Sequence, residues 1–313
     1  MKNTIKSISY ILLILVAFVS CEKDISVDMP KPEDKLVVEG IIELNDYSIV
    51  FLTKNAAYFD IVDTATVNNS IISGGQATVI VTDGSITDTL VPHVFPKWPY
   101  YGYYGTQIKG SIGNTYDLKI LYDNNEYTAT TFIPDTVGID SVWFDKFEQT
   151  DSLGFLNFNF QDPYENGNYY SCLVRVHQTQ PWFYRSYFGT HITDDKLGNN
   201  MKFSYSPISK GYERNSFFNN SSNNGDDPLG IFKEIGFSVG DTVSLKLSTM
   251  DQISYNIWGS WYSHQATSGN PFTNPATVLT NIDGAPAKGY WIGYGSDIKT
   301  VYITDTVNIE IID

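Results

Sequence analysis

Two aromatic stretches hold the residues best suited to contact a ligand. The first, Phe95-Pro96-Lys97-Trp98-Pro99-Tyr100-Tyr101-Gly102-Tyr103-Tyr104-Gly105, mixes rings with prolines and glycines, so a regular sheet cannot bury every ring. Exposed rings stack on sugar faces or anchor partner proteins, each burying about 150–250 Å². Trp98, Tyr100, Tyr101, Tyr103 and Tyr104 are the candidates here. The second stretch, Pro181-Trp182-Phe183-Tyr184-Arg185, leads into an asparagine-rich run ending near Asp227. Its candidates are Trp182, Phe183 and Tyr184. Amides and carboxylates bond hydroxyls while rings stack, which suits a glycan or peptide ligand. The competing reading is packing: the same residues are ordinary in loops, and the rings could close the end of a sandwich.

Catalytic chemistry finds little footing. His93, His177, His191 and His264 are scattered, without an H-E-x-x-H pair or cysteine partners, so no zinc site is expected. Asp226-Asp227 lacks the alternating oxygens of a calcium loop. No G-x-S-x-G elbow or phosphate-binding glycine loop occurs. Glycosidase carboxylates lie roughly 5 to 9 Å apart by virtue of the fold rather than of spacing, and no acidic pair stands out. Cys172, Val174 and Val176 share the more apolar face of an alternating run, which makes the thiol a buried structural residue. The expectation is a non-enzyme without cofactor or metal.

The N-terminus sets where these residues work. Lys2 and Lys6 precede an apolar run from Ile8 to Val19, followed by Ser20-Cys21. That run is shorter than the ~20 residues of a spanning helix. It reads as a signal peptide over residues 1–20, with Cys21 as the acylated first residue of a bacterial lipoprotein. Residues 21–34 form a polar, proline-bearing tether. Glu22-Lys23-Asp24 resembles the surface-export signal of Bacteroidota lipoproteins, which places the protein in the outer membrane, at the cell surface. Losing Lys2 and Lys6 takes the net charge from −15 to −17. Such a surface repels nucleic acid and anionic headgroups, so the membrane partner is reached through the lipid.

The remaining chain must fold to position the aromatic stretches. From Lys35 to Pro134 a period-two pattern with frequent turns predicts an antiparallel β-sandwich of prealbumin or immunoglobulin type. Asp83-Gly84 marks one hairpin, and Asp123-Asn124-Asn125 turns another between Tyr116–Tyr122 and Tyr127–Ile133. Residues 135–313 form a second β-rich domain with an irregular insertion at about 180–228. Leu156, Phe158 and Phe160 alternate there, as do Val243, Leu245 and Leu247. One helix is expected after Thr249, capped by Thr249 with Gln252, with Ile253, Ile257 and Trp261 as its buried stripe. The fold class is therefore all-β, two sandwich-like domains with one covering helix.

Several landmarks carry a family resemblance. They are Lys35-Leu36-Val37-Val38-Glu39-Gly40, Gly113-x-x-Tyr116-x-Leu118, Ile139-Asp140-Ser141, Gly269-Asn270-Pro271-Phe272-Thr273-Asn274-Pro275, Thr280-Asn281-Ile282-Asp283-Gly284 and Gly289-Tyr290-Trp291-Ile292-Gly293-Tyr294. In this order they resemble a Bacteroidota lipoprotein family known as domain of unknown function forty-two forty-nine. The resemblance implies an outer-membrane lipoprotein, often encoded beside a TonB-dependent transporter, with no catalytic residues to carry over. The expected role is a non-catalytic accessory or binding subunit of such a transporter. The alternative is a free-standing glycan-binding module that uses the aromatic loops.

Overall fold

A computed structural model describes residues 35–55, 68–95, 101–148, 150, 152–196, 198–211, 234–268, 273–274, 276–305 and 309–312. Cys21, Trp98, Tyr100 and most of the asparagine-rich run lie outside the described residues. In chain order the first elements are β1 (Leu36–Glu43), β2 (Tyr47–Lys54), β3 (Ala77–Thr82), β4 (Thr87–Thr89), β5 (Val91–Val94), β6 (Tyr101–Lys109), β7 (Thr115–Tyr122) and β8 (Asn125–Phe132). There follow β9 (Ile139–Lys146), β10 (Leu153–Gln161), β11 (Tyr169–Val176), β12 (Ile192–Asp194), β13 (Lys202–Ile208), β14 (Phe237–Ser238) and β15 (Thr242–Met250). Helix α1 (Gln252–Thr267) precedes β16 (Asp283–Gly284), β17 (Ala287–Ile303) and β18 (Ile309–Ile311). The architecture is all-β, built of sandwich-like layers with one covering helix.

Strand β17 organises the layers. Its 17 residues extend roughly 55 Å at the usual strand rise. The first half pairs in parallel with β1, from Leu36↔Ala287 to Glu43↔Tyr294. The second half pairs antiparallel with β15, from Thr249↔Gly295 to Thr242↔Tyr302. One nine-stranded sheet, β12-β11-β15-β17-β1-β2-β6-β5 with β18 beside β17, thus serves both sandwiches. One core joins its β1 end to the five-stranded sheet β16-β8-β7-β3-β4 through Val38, Ile42, Val50, Val79, Leu118 and Ile120. The other joins its β15 end to β13-β10-β14 and β9 through Val174, Leu245, Leu247, Phe158 and Phe160.

The boundary expected at Pro134 falls between Ile133 of the first core and Val137 of the second. Ile282 and Trp291 return to the first core, so that core is assembled from two separated stretches of chain. The insertion expected to be irregular contains β12 and β13. Phe203 and Tyr205 of β13 stack on Phe160 and Phe158 at 5.4 Å and near-parallel planes. Their alternation is short and ends at Pro207, which is why it left little mark on the pattern. Turn chemistry follows the sequence. Gly84 has φ +86°, and Asp123 and Asn124 both take positive φ in the β7–β8 hairpin. Asp83 accepts the Ser85 and Ile86 amides, and these bonds hold its carboxyl below the usual range.

The two cores meet where β17 carries Gly293 and Gly295. Here the β8–β9 connection crosses the strand with no side chain between them. A Cβ on Gly293 would lie 2.5 Å from the Phe132 carbonyl oxygen, and one on Gly295 would lie 2.4 Å from that of Pro134. Polar bonds pin the crossing: Gly293 N–H donates to Thr131 Oγ1 (2.7 Å), Thr249 Oγ1 to the Asp135 carbonyl (2.7 Å), and Ile139 N–H to Asp297 Oδ2 (2.8 Å). Backbone cannot step aside as a side-chain end can. Gly293→Ala should therefore cost roughly 1–3 kcal/mol or more, whereas Gly259→Ala in α1, where a Cβ meets nothing within 4 Å, should gain up to about 1 kcal/mol. Urea unfolding of both variants checks the pair, and a neutral Gly293→Ala would show that the crossing is loose.

Candidate functional site

The face of the long sheet opposite the two cores gathers several of the aromatic candidates. Alternation along β6 decides which rings reach it. Tyr103 points inward, 2 % exposed, and its hydroxyl accepts the Ala77 amide at 3.3 Å. Burial pushes its phenol pKa up. The expectation that Tyr103 belongs to a ligand platform is thus corrected: strand period places it in the core. Tyr104 points the other way, 5.8 Å from Tyr47 in an edge-on pair and 5.7 Å from His93. Tyr101, at the end of the strand, is 40 % exposed and walls a shallow hollow with Asn68, Ile71 and Ser73.

The two aromatic stretches meet through Phe95. Its ring lies 5.4 Å from Phe51, 4.6 Å from His93 and 5.2 Å from Trp182, the last edge-on at 64°. Gly102 makes room beneath, since a Cβ there would sit 2.8 Å from the Phe51 ring and 3.1 Å from that of Phe95. Strand β5 ends one side of the nine-stranded sheet, while Trp182 lies two residues before Tyr184, which exchanges backbone bonds of 2.8 Å with Val174 of β11. The Phe95–Trp182 contact therefore draws opposite ends of the sheet together across one face. Spacing along the chain gives no sign of this.

The residues after Trp182 are held as firmly. Lys246 Nζ sits 4.6 Å over the Phe183 ring and 2.6 Å from Glu43 Oε1. This buried ion pair links β15 to β1. Tyr184 packs against Gly211, where a Cβ would come within 2.4 Å of its own. Arg185 lies 5.8 Å from the rings of both Trp261 and Tyr262. Trp182, Phe183 and Tyr184 are all half-buried, so they tie a segment down rather than stand free.

Helix α1 covers the same face and corrects the expected cap and stripe. Asp251 is the N-cap, accepting the Ser254 amide at 2.7 Å. The Thr249 hydroxyl instead donates to the carbonyls of Asp135 and Gly295. Ile257 is buried, Ile253 is 57 % exposed and Trp261 is half-buried. The packed stripe runs through Tyr255, Trp258 and Tyr262, against Tyr169, Ile292, Tyr294 and Tyr290. Trp258 Nε1 donates to the Tyr294 hydroxyl at 2.9 Å. Aromatic side chains out-compete the aliphatic set because their polar tips find partners on a half-polar sheet face.

His191 occupies the seam between the segment and the helix. Its backbone N–H donates to the Tyr262 hydroxyl (3.1 Å), and its Nδ1 lies 2.6 Å from the same oxygen. The ring also meets Trp258 edge-on at 4.7 Å. The residues that sequence reading missed here are His191, Trp258, Tyr262, Phe51 and the pair Glu43 with Lys246. Only Trp258 and Tyr262 left a trace, in their helical spacing.

Cys172 is buried, and burial drives its thiol pKa far up, away from the reactive thiolate. Among the described residues no group of three or more histidine, cysteine, aspartate or glutamate side chains could hold a metal ion. Nor is any helix there long and apolar enough to cross a membrane. What the site offers is a rigid aromatic face with half-exposed rings. An all-β double sandwich bearing such a face is an architecture that many different functions share. The chain belongs to the family described as a domain of unknown function (DUF4249), whose match spans residues 22–300. No curated protein matches it.

The helix supplies a test of this geometry. Ile257→Ala removes a buried side chain and should cost about 2–5 kcal/mol. Trp261→Ala loses only ring contacts with Trp258 and Tyr262 and the nearby Arg185, for about 1–2 kcal/mol. Equal losses in chemical denaturation would mean that Trp261 is core after all.

Proposed function

We propose that this protein is an outer-membrane lipoprotein, held at the cell surface through Cys21, that acts as a non-catalytic binding subunit of a TonB-dependent transporter system. The observation that supports it most is which end of the first sandwich lies beside the start of β1. Leu36 pairs with Lys54 at the end of β2, and Val50 pairs with Tyr103, so Tyr101 and its partner Val94 lie at that same end. Val94 is 64 % exposed and Tyr101 40 %. From Cys21 the intervening 14 residues reach at most about 50 Å. Exposed apolar side chains at the end where β1 begins suit a partner that is itself embedded in the membrane.

A second reading rests on a different observation. Tyr47 and Tyr104 are half-buried with His93 exposed beside them, an arrangement on which a sugar face could stack. A free-standing glycan-binding module would lose affinity for soluble polysaccharide in Tyr104→Ala, measured by calorimetry.

Two experiments test the preferred reading. Cys21→Ala should release the protein from the membrane fraction, and protease added to whole cells should degrade the wild type. Full protection until lysis would overturn the surface placement. Val94→Ser with Tyr101→Ser should weaken recovery of the transporter from solubilised membranes by about 30-fold, equivalent to roughly 2 kcal/mol, with an unchanged unfolding midpoint. Unaltered recovery would remove this end from the interface.

A further inference from the structure

We propose that the contact between the segment carrying Arg185 and His191 and helix α1 is an acid-sensitive latch, in which protonation of His191 releases the helix and uncovers Trp258 and Tyr262. The geometry makes His191 a poor host for a second proton. The residue is 7 % exposed, its ring lies against Trp258 and Tyr262, and Nδ1 is 2.6 Å from the Tyr262 hydroxyl oxygen. A second ring proton would leave a cation buried away from water.

The surrounding charges offer no relief. Helix α1 carries no Asp, Glu, Lys or Arg, and its other histidine, His264, is engaged with the Ala276 carbonyl. From its own segment His191 faces Arg185, a like charge. From β11 it meets Cys172, whose amide donates to the His191 carbonyl. Asp194, the nearest carboxylate along β12, is paired with Lys196 at 2.8 Å. Burial first, and then Arg185, bring the His191 pKa down to about 3.

The sign follows from linkage. The closed latch holds His191 neutral, whereas an opened one returns it to an ordinary value near ~6.5. The closed state is therefore at full strength above about pH 6.5 and weakens as pH falls from there towards about 3. At pH 5.5 opening is favoured about tenfold over its level at neutral pH. The helix is the element that yields, because Trp258 and Tyr262, which carry part of its hold on the sheet, line this seam, and a detached helix of this length is marginal in water. The two strands flanking β15 remain paired throughout.

Hydrogen exchange of the full chain at pH 7.5 and pH 5.5, corrected for intrinsic rates, reads this directly. Protection at residues 258–264 and at the His191 amide should fall about tenfold at the lower pH, while amides of β15 keep theirs. In His191→Gln, which keeps an acceptor for Tyr262 but cannot titrate, protection at residues 258–264 should be the same at both values. Equal protection in the wild type at both values, or an equal fall in the variant, overturns the proposal. Should the variant fail to fold, proton NMR titration of the wild type decides. His191 ring signals that stay neutral to pH 5.5 in the folded protein, alongside the loss of helix protection, support the latch. A ring that titrates near 6.5 with the helix still protected overturns it.

Discussion

The contact on which the whole molecule depends is the crossing of the Thr131–Ile139 connection against β17 at Gly293 and Gly295. Two hydrophobic cores normally lie in separate domains joined by a mobile linker. Here a single strand contributes Trp291 to one core and Val301 and Ile303 to the other. The chain passing between the sandwiches must therefore lie against that strand's backbone. Only residues without a Cβ permit the approach, and three polar bonds then fix it. Gly289 does similar work earlier in the strand, with φ +108° and a Cβ position 1.8 Å from the Val38 carbonyl oxygen. The glycines of the Gly289–Gly295 segment are thus packing requirements rather than flexible points.

Rigidity on one side of the long sheet is what allows an aromatic face on the other. Trp291 is buried in the first core with Nε1 donating to the Tyr116 carbonyl (2.9 Å), and the Asn281 side chain bonds both its amide and its carbonyl. Its neighbours Tyr290, Ile292 and Tyr294 then project towards α1. Across the sheet, the Phe95–Trp182 contact joins segments near its opposite ends, and the Lys246–Glu43 pair joins β15 to β1, the two strands that flank β17. Burial of that ion pair is weak evidence for net stability, but removing one partner would leave a charge without compensation. Its evident effect is to fix the register between the two halves of the face.

An acidic chain must also accommodate carboxylates inside, and this one does so with backbone amides. Asp88 is fully buried and accepts the amides of Thr106, Gln107 and Ile108. Asp195 accepts those of Gly167 and Asn168, and Asp162 accepts the Asn200 amide and the Tyr170 hydroxyl. Asp88 thereby joins β4 to β6, and Asp162 and Asp195 hold loops, each through neutral donors. This matters in a protein with 35 acidic residues against 20 basic ones, where lysines and arginines cannot pair with every carboxylate.

The sequence by itself determined the local elements and the family. Alternation is a property of neighbouring residues, so Leu156, Phe158 and Phe160, or Val243, Leu245 and Leu247, announced their inward faces directly. Hairpins at Gly84 and at Asp123-Asn124 followed from the φ that those residues accept, and Glu22 to Thr300 fell within the family match. Tertiary structure alone decided that Tyr103 is core while Tyr104 is surface, because a run of consecutive tyrosines hides which parity the strand adopts. It also decided that Asp251 rather than Thr249 caps α1, since the Thr249 hydroxyl is claimed by carbonyls that belong to distant strands. The meeting of Phe95 with Trp182, and of His191 with Tyr262, depends on which segments are brought together over one face of the nine-stranded sheet. No local pattern encodes that meeting: it arises from packing between segments that lie far apart along the chain.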